Sequence, residues 1–129
     1  MRQLKFRIWN GFQFVTKSEV YIKSCNGSLW VWDHDDGSLW SATAKIQQFT
    51  GLLDKNGTDI YEGDIVTYTS INGKDYKAEI VFSPTLAAFI LDTSRRHLLD
   101  DKYGDYYELH KDHSYEVIGN IFENNELLK

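Results

Sequence analysis

Asp54, Asn56, Thr58 and Glu62 offer four oxygen-bearing side chains within nine positions, DKNGTDIYE. Such residues could hold a calcium ion. A calcium loop, however, needs glycine at its sixth position and a bidentate Glu at its twelfth. Counted from Asp54, those positions are Asp59 and Ile65. The spacing fails at both. Asp33, His34, Asp35 and Asp36 could cradle a divalent cation, but adjacent acids before Gly37 read as a solvated turn tip. His110 and His113 stand three apart, which suits zinc on one helix face. Here they flank the turn-forming Lys111-Asp112, and no Cys or Glu partner lies at motif spacing. Cys25 has only Lys23 nearby to stabilise a thiolate, which needs a positive environment. Nucleophile-elbow, phosphate-loop and dinucleotide fingerprints are missing. We therefore expect no catalytic residue, no metal ligand, no cofactor and no enzymatic activity.

The remaining chemistry is that of contact surfaces. Trp9, Trp30, Trp32 and Trp40 all fall in the first part of the chain, and Tyr103, Tyr106 and Tyr107 cluster late. Large aromatics fill cores or anchor interfaces. Trp30, Trp32 and Trp40 are thus candidate interface residues. Arg95, Arg96 and Lys102 form a local basic patch. On a small barrel such a patch, with aromatics on which bases stack, would be a nucleic-acid site.

The elements that must carry these residues are short strands separated by turns. Leu4–Trp9, Asn10-Gly11 and Phe12–Thr16 predict a hairpin with a two-residue turn, Phe6, Ile8, Phe12 and Phe14 forming its buried face. Residues 20–23, 28–32 and 39–40 predict further strands. Residues 41–48 are ambiguous, and 43–48 could be one or two helical turns. Asp54-Lys55-Asn56-Gly57 and Glu62-Gly63-Asp64 are turns, the second with a positive φ expected at Gly63. Ile65–Ser70, Tyr76–Phe82, Leu86–Asp92, Tyr106–His110 and Tyr115–Phe122 are the later strands, the first two joined at Asn72-Gly73 and the next pair through Ser83-Pro84-Thr85. A short helix is expected around Arg95–Asp101, and a final helical turn capped by Asn124. The fold class predicted is mainly β, with a strand-rich N-terminal extension over residues 1–48 and a β roll over 49–129.

A chain of 129 residues suffices for a hydrophobic core without covalent staples. One cysteine permits no internal disulfide, which fits a reducing cytoplasm. No apolar run reaches the roughly 20 residues of a membrane helix, and MRQLKFRIW lacks a signal-peptide core. Residues 1–48 carry six Lys/Arg against four Asp/Glu, whereas residues 49–129 carry eight against fifteen. The acidic second part repels phosphate backbones, so nucleic acid is a disfavoured partner.

Three blocks carry a family likeness. FTGLLDKNGTDIYEGDIV at the centre, Lys5-Phe6-Arg7-Ile8-Trp9 at the start and YEVIGNIFEN near the end occur in the order seen in the YopX-like family of phage and prophage proteins. The chain departs from the usual family pattern at Asn10, where an acid is common, and at Asn125, where Pro is common. The resemblance implies a phage-related origin, a bacterial host cytoplasm, an SH3-like form for the β roll and assembly into homo-oligomers. It supplies no catalytic residues. The expected role is that of an accessory protein acting through protein–protein contacts with itself, a host protein or a phage protein. The alternative is a small nucleic-acid-binding barrel using Arg95, Arg96 and Lys102.

Overall fold

Alternating apolar residues and frequent turn dipeptides produce a chain whose described residues are mostly in strands. The computed structural model describes residues 3–9, 11, 14, 20–25, 28–33, 39–40, 45–69, 73–84, 86–93, 106–109 and 114–128; for 20–25, 28–33, 39–40 and 106–108 it describes the backbone only. Eleven strands are defined among them: β1 (Phe6–Trp9), β2 (Val20–Cys25), β3 (Ser28–Asp33), β4 (Leu39–Trp40), β5 (Lys45–Leu53), β6 (Asp59–Tyr61), β7 (Asp64–Thr69), β8 (Asp75–Ser83), β9 (Ala88–Asp92), β10 (Tyr106–Glu108) and β11 (Tyr115–Asn120). A 3-10 turn, Asn125–Leu128, ends the described chain. The protein is mainly β.

The strands form three sheets, ordered β1-β5-β6, β2-β3-β4 and β10-β9-β8-β7-β11. The chain divides into two compact units, Phe6–Gln47 and a second made of Met1–Lys5 with Gln48–Lys129. In the first unit β2, β3 and β4 form an antiparallel meander. Ile8 is buried there, and the Trp9 ring meets Phe14 edge-on at 5.1 Å. Trp9 pairs with Phe14, which leaves the four positions 10–13 between them where the predicted turn has two. Phe6, expected on the buried face, is 50% exposed.

The second unit is organised by the five-stranded sheet. On the strand Tyr76–Phe82 the expected alternation holds only in part: Ala78 and Ile80 are fully buried on one face, but Glu79 between them is 6% exposed, and Tyr76 and Phe82 at the ends are 39% and 47% exposed. Register carries that face across the sheet, through Val66 and Tyr68 on β7, Leu91 and Phe89 on β9, and Tyr115 and Val117 on β11. Ile60 and Leu52 pack against it and complete the core. A strand with one face buried cannot slip by one residue without exposing that whole row, which fixes the register.

The segment read as possible helix at 43–48 is instead the start of β5 from Lys45. It escaped recognition because a polar residue, Gln47, is the buried one there while Ile46 is only half-buried, and a bulge follows. Phe49 pairs with Tyr61 and Leu53 with Asp59, so the β5 side has two extra residues. Gly51, with φ +92°, sits in that irregularity. Phe49 is buried before it and Leu52 packs on the core after it, so the period of two is broken. The Thr50 hydroxyl stabilises the break, donating to the Ile60 carbonyl at 2.8 Å and accepting from the Leu52 N–H at 3.2 Å.

Gly63 has φ +82°, as its turn requires. Its N–H donates to the Ile80 carbonyl and its own carbonyl accepts from Ile121, so the backbone there is held from both sides. Gly63→Val should therefore destabilise the fold by about 1–3 kcal/mol, because a β-branched residue is strained at that φ and the turn cannot relax. Denaturant unfolding checks this; a midpoint equal to that of the wild type would show that the turn absorbs the side chain.

Candidate functional site

The acids of the central block are the natural place to look for chemistry, and the structure accounts for each. Asp54 is only 7% exposed. Its Oδ1 accepts the N–H groups of Asn56 (2.8 Å) and Thr58 (2.9 Å), and its Oδ2 accepts that of Val117 (3.1 Å). The turn itself is closed by Gly57 N–H to the Asp54 carbonyl and Asp54 N–H to the Thr58 carbonyl. Burial pushes this carboxyl up, but the N–H donors of Val117, Thr58 and Asn56 and the charge of Lys55 outweigh it, and the pKa lies below the usual carboxylate value. Three backbone donors thus converge on one carboxylate, and the loop is a turn built around that anion.

The other acids are equally committed. Asp59 pairs with Lys5 at 2.6 Å, and the same ammonium lies 4.3 Å from the centre of the Phe49 ring. The Phe49 N–H donates to the Lys5 carbonyl. Glu62 accepts the Gln48 N–H through its side chain and donates its own N–H to the Gln48 carbonyl. Asp64, 1% exposed, accepts the Tyr61 N–H at 2.8 Å and closes the Tyr61–Asp64 turn.

The closing block YEVIGNIFEN fits against the central one. Lys55 N–H donates to the Tyr115 carbonyl, its ammonium pairs with Glu116 at 3.1 Å, and Ile121 N–H donates to the Gly63 carbonyl. Asn120, buried, accepts the N–H groups of Phe122 and Glu123 with its side chain. Asn124 was expected to cap the last turn with its side chain. Its Oδ1 instead accepts the Asn120 N–H at 3.3 Å, while its carbonyl accepts from Leu127. This places the Asn124 side chain over Gly119, where an added Cβ would come within 2.6 Å of Oδ1 and 2.8 Å of two carbons.

The other residues singled out from the sequence are distributed as follows. Trp30, Trp32 and Trp40 lie on β3 and β4. Trp30 is opposite Lys23, Trp32 opposite Tyr21 and Leu39, and Trp40 opposite Val31. Position 40 therefore shares a row with 31, not with 30 and 32. Arg95, Arg96 and Lys102, the expected helix at Arg95–Asp101, the Asp33–Asp36 cluster beyond Asp33, and His110 and His113 lie outside the described residues, as does the side chain of Cys25. Among the described residues no group of three or more His, Cys, Asp or Glu is placed to hold a metal ion. No helix among them is long and apolar enough to cross a membrane.

A small, mainly β protein whose distinctive polar residues clasp the central block to the last described strand is thus what the site defines. The profile of the family described as YopX protein matches residues 5–129, and the chain belongs to that family. Its fold is similar to the crystal structure of protein YopX from Bacillus subtilis, with a TM-score of 0.66 at 22% identity over 100% of both chains. It is also similar to protein EF1440 from Enterococcus faecalis, with a TM-score of 0.56 at 25% identity over 100% of both. No curated protein sequence matches the chain.

Two outcomes test the clasp. A carboxylate whose pKa is lowered on folding contributes stability that is fully present above its unfolded value, about 3.9, and is lost as pH falls through the folded value. Asp54→Asn should cost about 1.5–3 kcal/mol at neutral pH, and its deficit should shrink below about pH 4. Denaturant midpoints of both proteins at neutral pH and at about pH 3 read this; a deficit independent of pH would mean that the charge does not hold the clasp. Gly119→Ala should cost about 1–3 kcal/mol by overpacking against Asn124, and Asn124→Ala in the same chain should recover part of the loss. A melting temperature for Gly119→Ala equal to that of the wild type would show that Asn124 moves aside freely.

Proposed function

We propose that this protein is a phage- or prophage-encoded accessory protein, without enzymatic activity, that works in the host cytoplasm through protein–protein contacts, self-assembly among them. The observation that carries this reading is the apolar face left open at one end of the five-stranded sheet. Phe82 continues the row of Ala78 and Ile80 yet is 47% exposed, and Leu86 in the following turn is 55% exposed. Phe82 pairs with Phe89 across β8 and β9, the rings edge-on at 5.4 Å. Exposed aromatics that run on from a core row are the usual anchors of interfaces. The commitment of Asp54, Asp59, Glu62 and Asp64 to structural bonds supports the non-enzymatic part of the reading.

The proposed self-contact uses this apolar end or the Trp30, Trp32 and Trp40 stretch. Light scattering at micromolar concentration should give a mass of at least two chains of 15.0 kDa. Phe82→Ser with Leu86→Ser, and Trp30→Ala with Trp32→Ala, should each be compared with it; the interface lies with the pair that lowers the mass. A monomeric wild type that also captures no partner from a bacterial host would overturn the reading. Salt-sensitive binding of DNA or RNA in a gel shift would put the nucleic-acid alternative in its place.

A further inference from the structure

Asparagine is a thermally labile residue, and before glycine it can convert itself. The glycine nitrogen attacks the asparagine Cγ, the bond from Cγ to the side-chain NH2 breaks, and ammonia leaves with the proton given up by the glycine N–H. Water then opens the resulting succinimide at either carbonyl, leaving aspartate or isoaspartate. The chain has four such dipeptides, Asn10-Gly11, Asn26-Gly27, Asn56-Gly57 and Asn72-Gly73. Of these, Asn56-Gly57 lies wholly within the described residues. Both of its residues are exposed, and no atom lies within 4 Å of where a Cβ on Gly57 would stand, so water reaches the bond. The attacking nitrogen is nonetheless engaged. Gly57 N–H donates to the Asp54 carbonyl at 3.0 Å. The amides on either side, those of Asn56 and Thr58, donate to Asp54 Oδ1 at 2.8 and 2.9 Å. Attack on Cγ requires the Gly57 nitrogen to lose its proton and turn out of that bond, so the turn must open first.

We infer that Asn56-Gly57 is a self-modification site gated by the Asp54 turn, and that its conversion loosens the hold of that turn on β11. Either product sets a second carboxylate two residues from the buried one, and like charges so close oppose each other's ionisation. Isoaspartate also routes the main chain through the side chain. The added methylene separates the Asn56 and Gly57 amides, which now converge on Asp54. The other oxygen of Asp54 holds the Val117 N–H at 3.1 Å, and Lys55 beside it bonds the Tyr115 carbonyl and pairs with Glu116. A change at Asn56 therefore reaches β11 through Asp54. The coupling runs both ways, since whatever frees β11 also frees the turn for conversion. Water is the one co-reactant, and the inference stands independently of the function proposed above.

Peptide mass spectrometry of the full chain held in mildly alkaline buffer reads the first half. Asn56 should convert, but roughly tenfold or more slowly in the folded protein than in the denatured chain. Asp54→Asn turns an amide NH2 toward one of the three donors and should speed conversion in the folded state. Equal rates in the folded and denatured wild type would overturn the gate. Equal rates in the folded wild type and Asp54→Asn would overturn the role of Asp54. An Asn56 still intact after many half-lives of the denatured chain would overturn the site itself. Asn56→Asp reads the second half, because it carries the new charge on an unaltered backbone. Its Val117 amide should exchange with solvent several-fold faster than in the wild type, and the isoaspartate form, separated by chromatography, faster still. In the Asp54→Asn chain, Asn56→Asp should add little, since the two charges no longer meet. Val117 exchange equal to that of the wild type in both converted forms would overturn the coupling to β11.

Discussion

A buried carboxylate with three backbone donors is the constraint on which the second unit depends. Asp54 joins residues 63 apart in sequence when it accepts from Val117, and it closes its own turn with the other oxygen. A buried charge is costly unless it is fully bonded, and here the bonds come from rigid main chain rather than from another side chain. The geometry of the turn, the position of β11 and the ionisation of Asp54 are therefore one property. The neighbouring ties of Lys55 to Tyr115 and of Gly63 to Ile121 extend the same seam along the strand.

This seam explains why the distinctive blocks of the sequence contain so many acids, glycines and asparagines. Their roles are geometric. Gly63 and Gly51 adopt positive φ, Gly119 makes room for Asn124, and Asn120 and Asp64 bond turn amides that strands leave unpaired. Blocks far apart in the chain look like a signature because each supplies half of a contact. A pattern of this kind identifies the fold and is silent on chemistry.

Much of the architecture could be read from the residues. The turns at Asp54–Gly57 and Glu62–Asp64 announce themselves by Asn-Gly and Gly-Asp, and β8 by Tyr76, Ala78 and Ile80 set between Lys77 and Glu79. What escaped has a common physical cause. The sequence of β5 does not alternate because the bulge at Gly51 switches its buried side midway, and β6 has only three residues. Trp9 pairs with Phe14, since a turn dipeptide marks a reversal but not its length. Asn124 is a plausible cap by type, yet its side chain is taken by a strand amide that only the folded chain brings near. The acids were legible as a turn, but their individual partners were not, because Val117 and Lys5 are distant in sequence.

The distance between Asp54 and Val117 also has a kinetic side. A contact that spans 63 residues forms only after a large loop has closed, and folds dominated by such contacts take milliseconds to seconds. During synthesis, at about 5–20 residues per second, Asp54 is added roughly 3–13 s before Val117 exists to bond it. Throughout that interval the turn amides alone must hold the carboxylate, and the side of β7 that β11 will occupy has no partner. The nascent chain thus passes through a state in which its sheet is one strand short, until β11, the last of the described strands, completes it.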